Sequence, residues 1–261
     1  DAVAYGLAEG RLISGVGGGG GSVVVDSPPT TGSAGGEFCA IWLGPEMPID
    51  QRHDDACSVC FDSEPLSEPL VVTGAPVLRV TFSADQPVAQ LAVRLSDVWP
   101  GGAATRMTYA VINLTHRVSH QTPEALGPGR EYSIDIQLDD VAYAVPVDHR
   151  LRLSVSTAYW PLIWPAPQRA AVTLNLAKSQ LLIPTLPDGA EIYDEFEGAQ
   201  SSPPLAETVL RQGGHERDLK VDLATGRQTL RIEDDFGRRR IDAHGLITET
   251  IARERYEIDP S

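Results

Sequence analysis

Between about Pro69 and Leu176 the chain alternates apolar and polar residues with period two, and glycine or proline breaks each run. Leu78, Val80 and Phe82 share one side, and Leu91, Val93 and Leu95 share another, with Ala92, Arg94 and Ser96 opposite. Tyr132, Ile134, Ile136 and Leu138 alternate with Ser133, Asp135 and Gln137. Leu151, Leu153 and Val155 alternate with Arg150, Arg152 and Ser154, and Val172, Leu174 and Leu176 follow. A strand sends successive side chains to opposite faces, which a helix does not. The pattern predicts an all-β chain of antiparallel strands, a sandwich or jelly roll with one apolar face inward and the charged face wet. Pro100-Gly101-Gly102 and Gly127-Pro128-Gly129 supply turns. Leu219, Val221 and Leu223 lead through Ala224-Thr225-Gly226-Arg227 into Leu230 and Ile232, a late hairpin. Helix is expected only as a turn or two near Leu205 to Leu210.

The flanks read differently. Residues 1–50 carry the glycine run Gly17 to Gly21 and Ser27-Pro28-Pro29-Thr30-Thr31-Gly32, which predicts a long irregular loop. Residues 185–218 are acidic and proline-rich and predict an excursion outside the sheets. The expected organisation is a lead-in loop segment over 1–68 and one sandwich over 69–261. A chain of 261 residues buries enough surface to need no metal or disulfide staple. Its formal charge of −15 argues against nucleic acid or an anionic membrane as partner, since both need a basic face. No stretch approaches ~18 consecutive apolar residues, the length that spans a bilayer. Asp1-Ala2-Val3-Ala4-Tyr5-Gly6 has no basic leader region, so a soluble, cytoplasmic protein is expected.

Most motifs fail on their own mechanics. Gly15-Val16-Gly17-Gly18-Gly19-Gly20 matches G-x-G-x-x-G, but the extended Val23-Val24-Val25-Asp26-Ser27-Pro28-Pro29 follows where a phosphate-binding helix must begin. No serine sits in G-x-S-x-G. Any of His53, His116, His120, His149, His215 and His244 can serve as a base, yet none is placed against a nucleophile by sequence. His116 and His120 lack H-E-x-x-H and lie beside a strand, which argues against a metal pair. Cys57 and Cys60 form C-x-x-C, and Cys39 and His53 complete a zinc-type set on paper. Ser58-Val59 offers no tight turn, so core thiols and no metal are expected. The odd cysteine count favours a reducing compartment. Asp54-Asp55, Asp139-Asp140 and Asp234-Asp235 read as solvated charge or turn caps, because strand neighbours point to opposite faces. Asn113-Leu114-Thr115 is a glycosylation sequon without a secretory context. Tyr159-Trp160-Pro161-Leu162-Ile163-Trp164-Pro165 is an aromatic cluster stiffened by proline. Tyr159, Trp160 and Trp164 form an interdomain or ligand patch, or a core plug.

Five segments together resemble a known family. Asp50-Gln51-Arg52-His53-Asp54-Asp55 resembles the D-Q-R-x-D-D segment of the C-terminal non-catalytic domain of CocE/NonD hydrolases, which include X-Pro dipeptidyl-peptidases and cocaine esterase. Ser63 to Gly74 is similar to the family's approach to its sandwich. Arg94-Leu95-Ser96-Asp97-Val98, followed by Trp99-Pro100-Gly101-Gly102, looks like its R-L-x-D-V strand and turn. Tyr143 to Leu153 resembles its G-H-R-L-R-L strand, with Asp148 where glycine is usual, and Trp164-Pro165-Ala166-Pro167 its W-P-x-P turn. Asp222-Leu223-Ala224-Thr225-Gly226 is a weaker echo.

The resemblance implies a galactose-binding-like jelly roll with long loops and little helix, from a bacterial hydrolase. It implies an accessory domain that caps the active site of an N-terminal α/β-hydrolase domain on the same polypeptide, where a Ser-Asp-His triad cleaves small esters or X-Pro peptides. This chain shows no triad of its own, so it is expected to be a fragment with no catalytic residue and no cofactor. Pro28 through Cys39 looks like the loop that leans toward the active site, with Phe38 as its pocket wall. A homo-oligomer is compatible with the sequence. The alternative is a stand-alone jelly-roll module that stacks carbohydrate on exposed aromatics.

Overall fold

The structure is a computed structural model and describes residues 2–38, 47–186 and 197–260. Among these residues the chain is mostly strand, in two compact units, Asp1–Gly36 with Met47–Asp188 and Glu37–Glu46 with Gly189–Ser261.

The larger unit begins with β1 (Ala2–Ala8), β2 (Arg11–Ser14), β3 (Ser22–Val25), the single helical turn α1 (Arg52–Asp55) and β4 (Val59–Asp62). Then come β5 (Leu70–Gly74), β6 (Val77–Ala84), β7 (Gln90–Val98), β8 (Ala104–Asn113) and β9 (Tyr132–Gln137). It closes with β10 (Val141–Val145), β11 (Arg150–Ser156), β12 (Val172–Asn175) and β13 (Gln180–Pro184). Eleven of these strands form one sheet in the order β3-β12-β6-β13-β1-β2-β4-β11-β7-β8, with β9 on the other edge of β6. Every pairing is antiparallel except the single contact of Arg11 with Asp62, where β2 meets β4. Side chains from both arms meet in one apolar cluster that includes Phe82, Leu91, Leu153, Val172 and Leu181. Each such residue contributes on the order of 1.5–3 kcal/mol when fully buried.

The alternation marked β6, β7, β9, β11 and β12, but two expectations change. Residues 1–50 are not one irregular loop, because β1 pairs with β13 and β3 with β12. Glycine packing hides them in the sequence: a Cβ on Gly6 would sit 2.1 Å from the Gly17 carbonyl oxygen, and one on Gly18 only 2.0 Å from that of Leu176. The lead-in segment 1–68 therefore supplies four strands of the sheet. The polar face of β7 is not wet either, since Ala92, Arg94 and Ser96 are as buried as Leu91, Val93 and Leu95.

The smaller unit contains β14 (Glu207–Arg211), β15 (Gly214–Val221), β16 (Gln228–Ile241) and β17 (Ile247–Ile258). The late hairpin is present, with Val221 opposite Gln228. The segment expected as helix at Leu205 to Leu210 is instead strand, with Glu207 opposite Ile241. Pairing with a long partner overrides weak local helix propensity. For the same reason the 185–218 excursion ends by residue 207, where the chain re-enters a sheet.

Asp148 holds φ +66° in the turn before β11, and its N–H donates to the Leu66 carbonyl at 3.0 Å. Left-handed backbone costs a residue with a Cβ roughly 1–2 kcal/mol, and aspartate somewhat less. Asp148→Gly removes that strain while loosening the unfolded chain. Its expected net gain is about 0.5 kcal/mol, read as a raised urea midpoint; a lowered midpoint would assign the Asp148 side chain a role of its own.

Candidate functional site: a loop clasped by buried aspartates

Arg94 sits mid-strand in β7 with its side chain wholly removed from water. A guanidinium cannot shed its charge, so the fold must bring acceptors to it. They come from α1 and its flanks. One amino group lies 3.1 Å from Asp55 and donates to Ser58 Oγ at 2.8 Å. The other donates to Gln51 Oε1 at 3.1 Å and stands 3.9 Å from Asp54. Asp55 is shared with Arg152 at 3.1 Å and accepts from Ser154 Oγ at 2.8 Å. Arg152 in turn forks onto Asp62 at 2.7 and 2.6 Å. Asp54 and Asp55 are therefore buried parts of an ion cluster rather than the solvated charges expected of them.

Asp54 also turns outward to a loop. Its two carboxylate oxygens accept from the backbone N–H of Gly32 and of Ala34, each at 3.0 Å. Burial raises the Asp54 carboxyl above its ordinary range, against the pull of Arg94 and of these two amides. Gln51 donates to the Ala34 carbonyl at 2.9 Å. On the other side the N–H of Trp160 donates to the Thr31 carbonyl at 2.7 Å. Ser27 and Thr157 exchange reciprocal bonds at 3.0 and 3.3 Å. Gly32, at φ +122°, lies so close to Trp160 that an added Cβ would stand 2.5 Å from its carbonyl oxygen. Residues 27–36 are thus fixed from below by Asp54 and from the side by Tyr159 and Trp160.

The expected site residues separate. Tyr159 and Trp160 are core, the latter 1 % exposed, so Trp160 is not surface apolar area and the cluster forms no single patch. Tyr159 accepts from Arg106 at 2.5 Å and its ring is tilted 48° to that of Tyr109, with centroids 5.9 Å apart. Trp164 is 67 % exposed and Phe38 83 % exposed. Cys57 and Cys60 are half-buried rather than core, and the Cys60 thiol contacts Ser154 Oγ at 3.4 Å. Cys39 lies outside the described residues. Of the histidines, His149 pairs with buried Asp97 at 2.7 Å and His215 with Asp234 at 2.7 Å. Asp97 also accepts from Tyr143 Oη at 2.9 Å, tying the β5–β10 ribbon to β7. The sequence reading missed Arg94, Gln51 and Ser58 as site residues. The available signal was a charged residue inside the otherwise apolar run Leu91 to Leu95.

Removing Arg94 leaves Asp54 and Asp55 buried without its charge, and Arg152 remains beside Asp55 alone. Arg94→Met is expected to cost about 3–5 kcal/mol in urea unfolding, and a cost below about 1 would deny the cluster a structural role. Burial, and then the bond to Asp97, pushes the Tyr143 hydroxyl up to about 12. A raised folded value means the contribution is whole below the ordinary 10.0 and is lost as pH rises from there to about 12. Ultraviolet titration should show one tyrosine ionising near 12 that disappears in Tyr143→Phe.

A family model described as the X-Pro dipeptidyl-peptidase C-terminal non-catalytic domain matches residues 6–220. Cocaine esterase of Rhodococcus sp. (strain MB1 Bresler) is 27% identical over 120 residues, 45% of this chain and 21% of that protein. Among solved structures, an aminopeptidase from the marine sediment archaeon Thaumarchaeota archaeon superposes with a TM-score of 0.59 at 21% identity, over 70% of this chain and 36% of its own. An alpha-amino acid ester hydrolase gives 0.57 at 21% over 70% and 36%. A CocE/NonD family hydrolase from Staphylococcus aureus gives 0.54 at 12% over 71% and 37%. The chain spans about a fifth of the curated relative and just over a third of these structures.

Proposed function

The chain belongs to the family of X-Pro dipeptidyl-peptidase C-terminal non-catalytic domains, and from that premise we propose that it is the accessory domain of a CocE/NonD-type serine hydrolase. In this reading it is a jelly roll of galactose-binding type in a cytoplasmic enzyme. An N-terminal α/β-hydrolase domain on the same polypeptide holds the Ser-Asp-His triad and cleaves small esters or X-Pro peptides. This domain covers the entrance to that triad with residues 27–36. The observation that carries the proposal is the clasp on that loop. A segment held by both oxygens of a buried aspartate and seated on Trp160 meets a partner without first losing conformational freedom. Such pre-organisation is what a wall of a binding pocket requires.

Phe38 follows the clasped loop and presents its ring to solvent, which suits an apolar pocket wall completed only when the catalytic domain is present. Trp164 is assigned to the face toward the catalytic domain. No residue of this chain is given a proton-transfer or nucleophilic role, so its influence on the reaction runs through substrate binding and exclusion of water.

The test uses the full reading frame that contains this chain, assayed on an aryl ester series and an X-Pro anilide series. Phe38→Ala is expected to raise KM for the bulkiest good substrate by roughly tenfold with little change in kcat. Gly32→Ala, which pushes the loop off Trp160, is expected to lower kcat/KM on all substrates. Unchanged kinetics in both variants would end the capping proposal, and hydrolysis of neither series would end the assignment of reaction class.

A further inference from the structure

Between β8 and β9 the chain makes a braced loop that the proposed hydrolase role does not use. Asn113 starts it, its side-chain oxygen accepting from the Thr115 N–H at 3.0 Å and the Thr115 hydroxyl at 2.8 Å, ahead of one 3-10 turn at Leu114–His116. Arg117 ties the far side by donating to the Glu124 carbonyl at 2.6 Å, and the Glu124 N–H donates back to the Thr115 carbonyl at 2.8 Å. Ser119 Oγ accepts from two following amides at 3.1 and 3.2 Å. On a strand, residues four apart are ~13 Å from each other. The turn folds that distance away and sets His116 Nδ1 3.3 Å from His120 Nδ1, with ring planes at 46°.

That separation has a chemical meaning. As a hydrogen bond between two neutral imidazoles it is at the long end. As a pair of ligands it fits well. Zinc-type ions bind imidazole nitrogen at about 2.0–2.1 Å in tetrahedral geometry, which places two ligand nitrogens about 3.3–3.4 Å apart. A square-planar ion of similar bond length asks for a closer pair. The Arg117 charge beside the loop is opposed by the Glu124 carboxylate at 3.4 Å. His120 is exposed and His116 half-buried, so an ion reaches both rings from solvent. Among the described residues no cluster of three or more metal-ligating side chains is assembled, so the remaining positions fall to water.

We propose that His116 and His120 form a two-imidazole site for a tetrahedral divalent ion of the zinc class, bound through both Nδ1 atoms. It is independent of the triad, and the substitutions that test it leave the capping loop untouched.

Calorimetric titration of zinc chloride into the full chain tests it, with His116→Gln, His120→Gln and the double variant in parallel. Each single variant is expected to weaken one binding event by at least roughly tenfold, because the second imidazole acts at high effective concentration, and the double variant to abolish it. Long-range nitrogen–proton spectra should show the Nδ1 resonances of these two rings moving on zinc addition, with circular dichroism unchanged across the variants. Equal zinc binding by the double variant and the parent chain would overturn the site. So would shifts at Nε2 in place of Nδ1.

Discussion

A guanidinium with no access to water at the centre of β7 is the constraint on which the larger unit turns. Moving such a charge from water costs several kcal/mol even after relaxation, and only close, well-aligned acceptors offset it. No neighbour on β7 or β8 supplies a carboxylate at Arg94, so α1 must pack over the strand and bring Asp54 and Asp55. Once α1 is fixed, its second function follows from valence. Each carboxylate has more lone pairs than Arg94 can fill, and those left over organise Gly32 and Ala34 on one side and Arg152 and Ser154 on the other. The cluster contributes little net stability compared with an apolar core of the same volume. What it contributes is position.

The strands of the core were legible because period-two alternation is a property of a few adjacent residues. What covers a strand is not. Arg94, Ser96 and Arg152 looked like a wet face because nothing near them in sequence announces the acidic turn, about forty residues upstream of Arg94 and 97 upstream of Arg152. β1 and β3 were hidden for a related reason: their partners β13 and β12 lie far along the chain, and Gly6 and Gly18 serve close packing that leaves no hydrophobic pattern. The motifs of the family resemblance proved more informative than periodicity. D-Q-R-x-D-D supplies Gln51, Asp54 and Asp55, R-L-x-D-V supplies Arg94 and Asp97, and the H-R-L-R-L segment supplies His149 and Arg152. In space these fragments are two junctions, one around Arg94 and one around Asp97.

The smaller unit rests on different physics. β16 runs for 14 residues and β17 for 12, against about 5–6 in an ordinary strand. The unit carries exposed opposed charges such as Arg253 with Glu233 and Arg211 of β14 with Glu249. Exposed pairs of this kind are each worth little and are screened by salt, so the ladder's backbone bonds carry more of the order. This explains why the segment around residue 207 joins a sheet despite a helical local pattern: a long ready-made edge was waiting.

The pair of hydrogen bonds that Asp54 accepts gives residues 27–36 a mechanical character. The two amides share one carboxylate, so moving Asp54 disturbs both, and the Ser27–Thr157 exchange secures the other end separately. Between these fixings the Pro28 carbonyl closes a turn by accepting from the Thr31 N–H at 3.0 Å and the Thr31 hydroxyl at 2.7 Å, and Pro29 and Thr30 are half-buried. The loop is therefore a plate bolted near both ends and stiffened between them, so that loss of one fixing leaves the other in place.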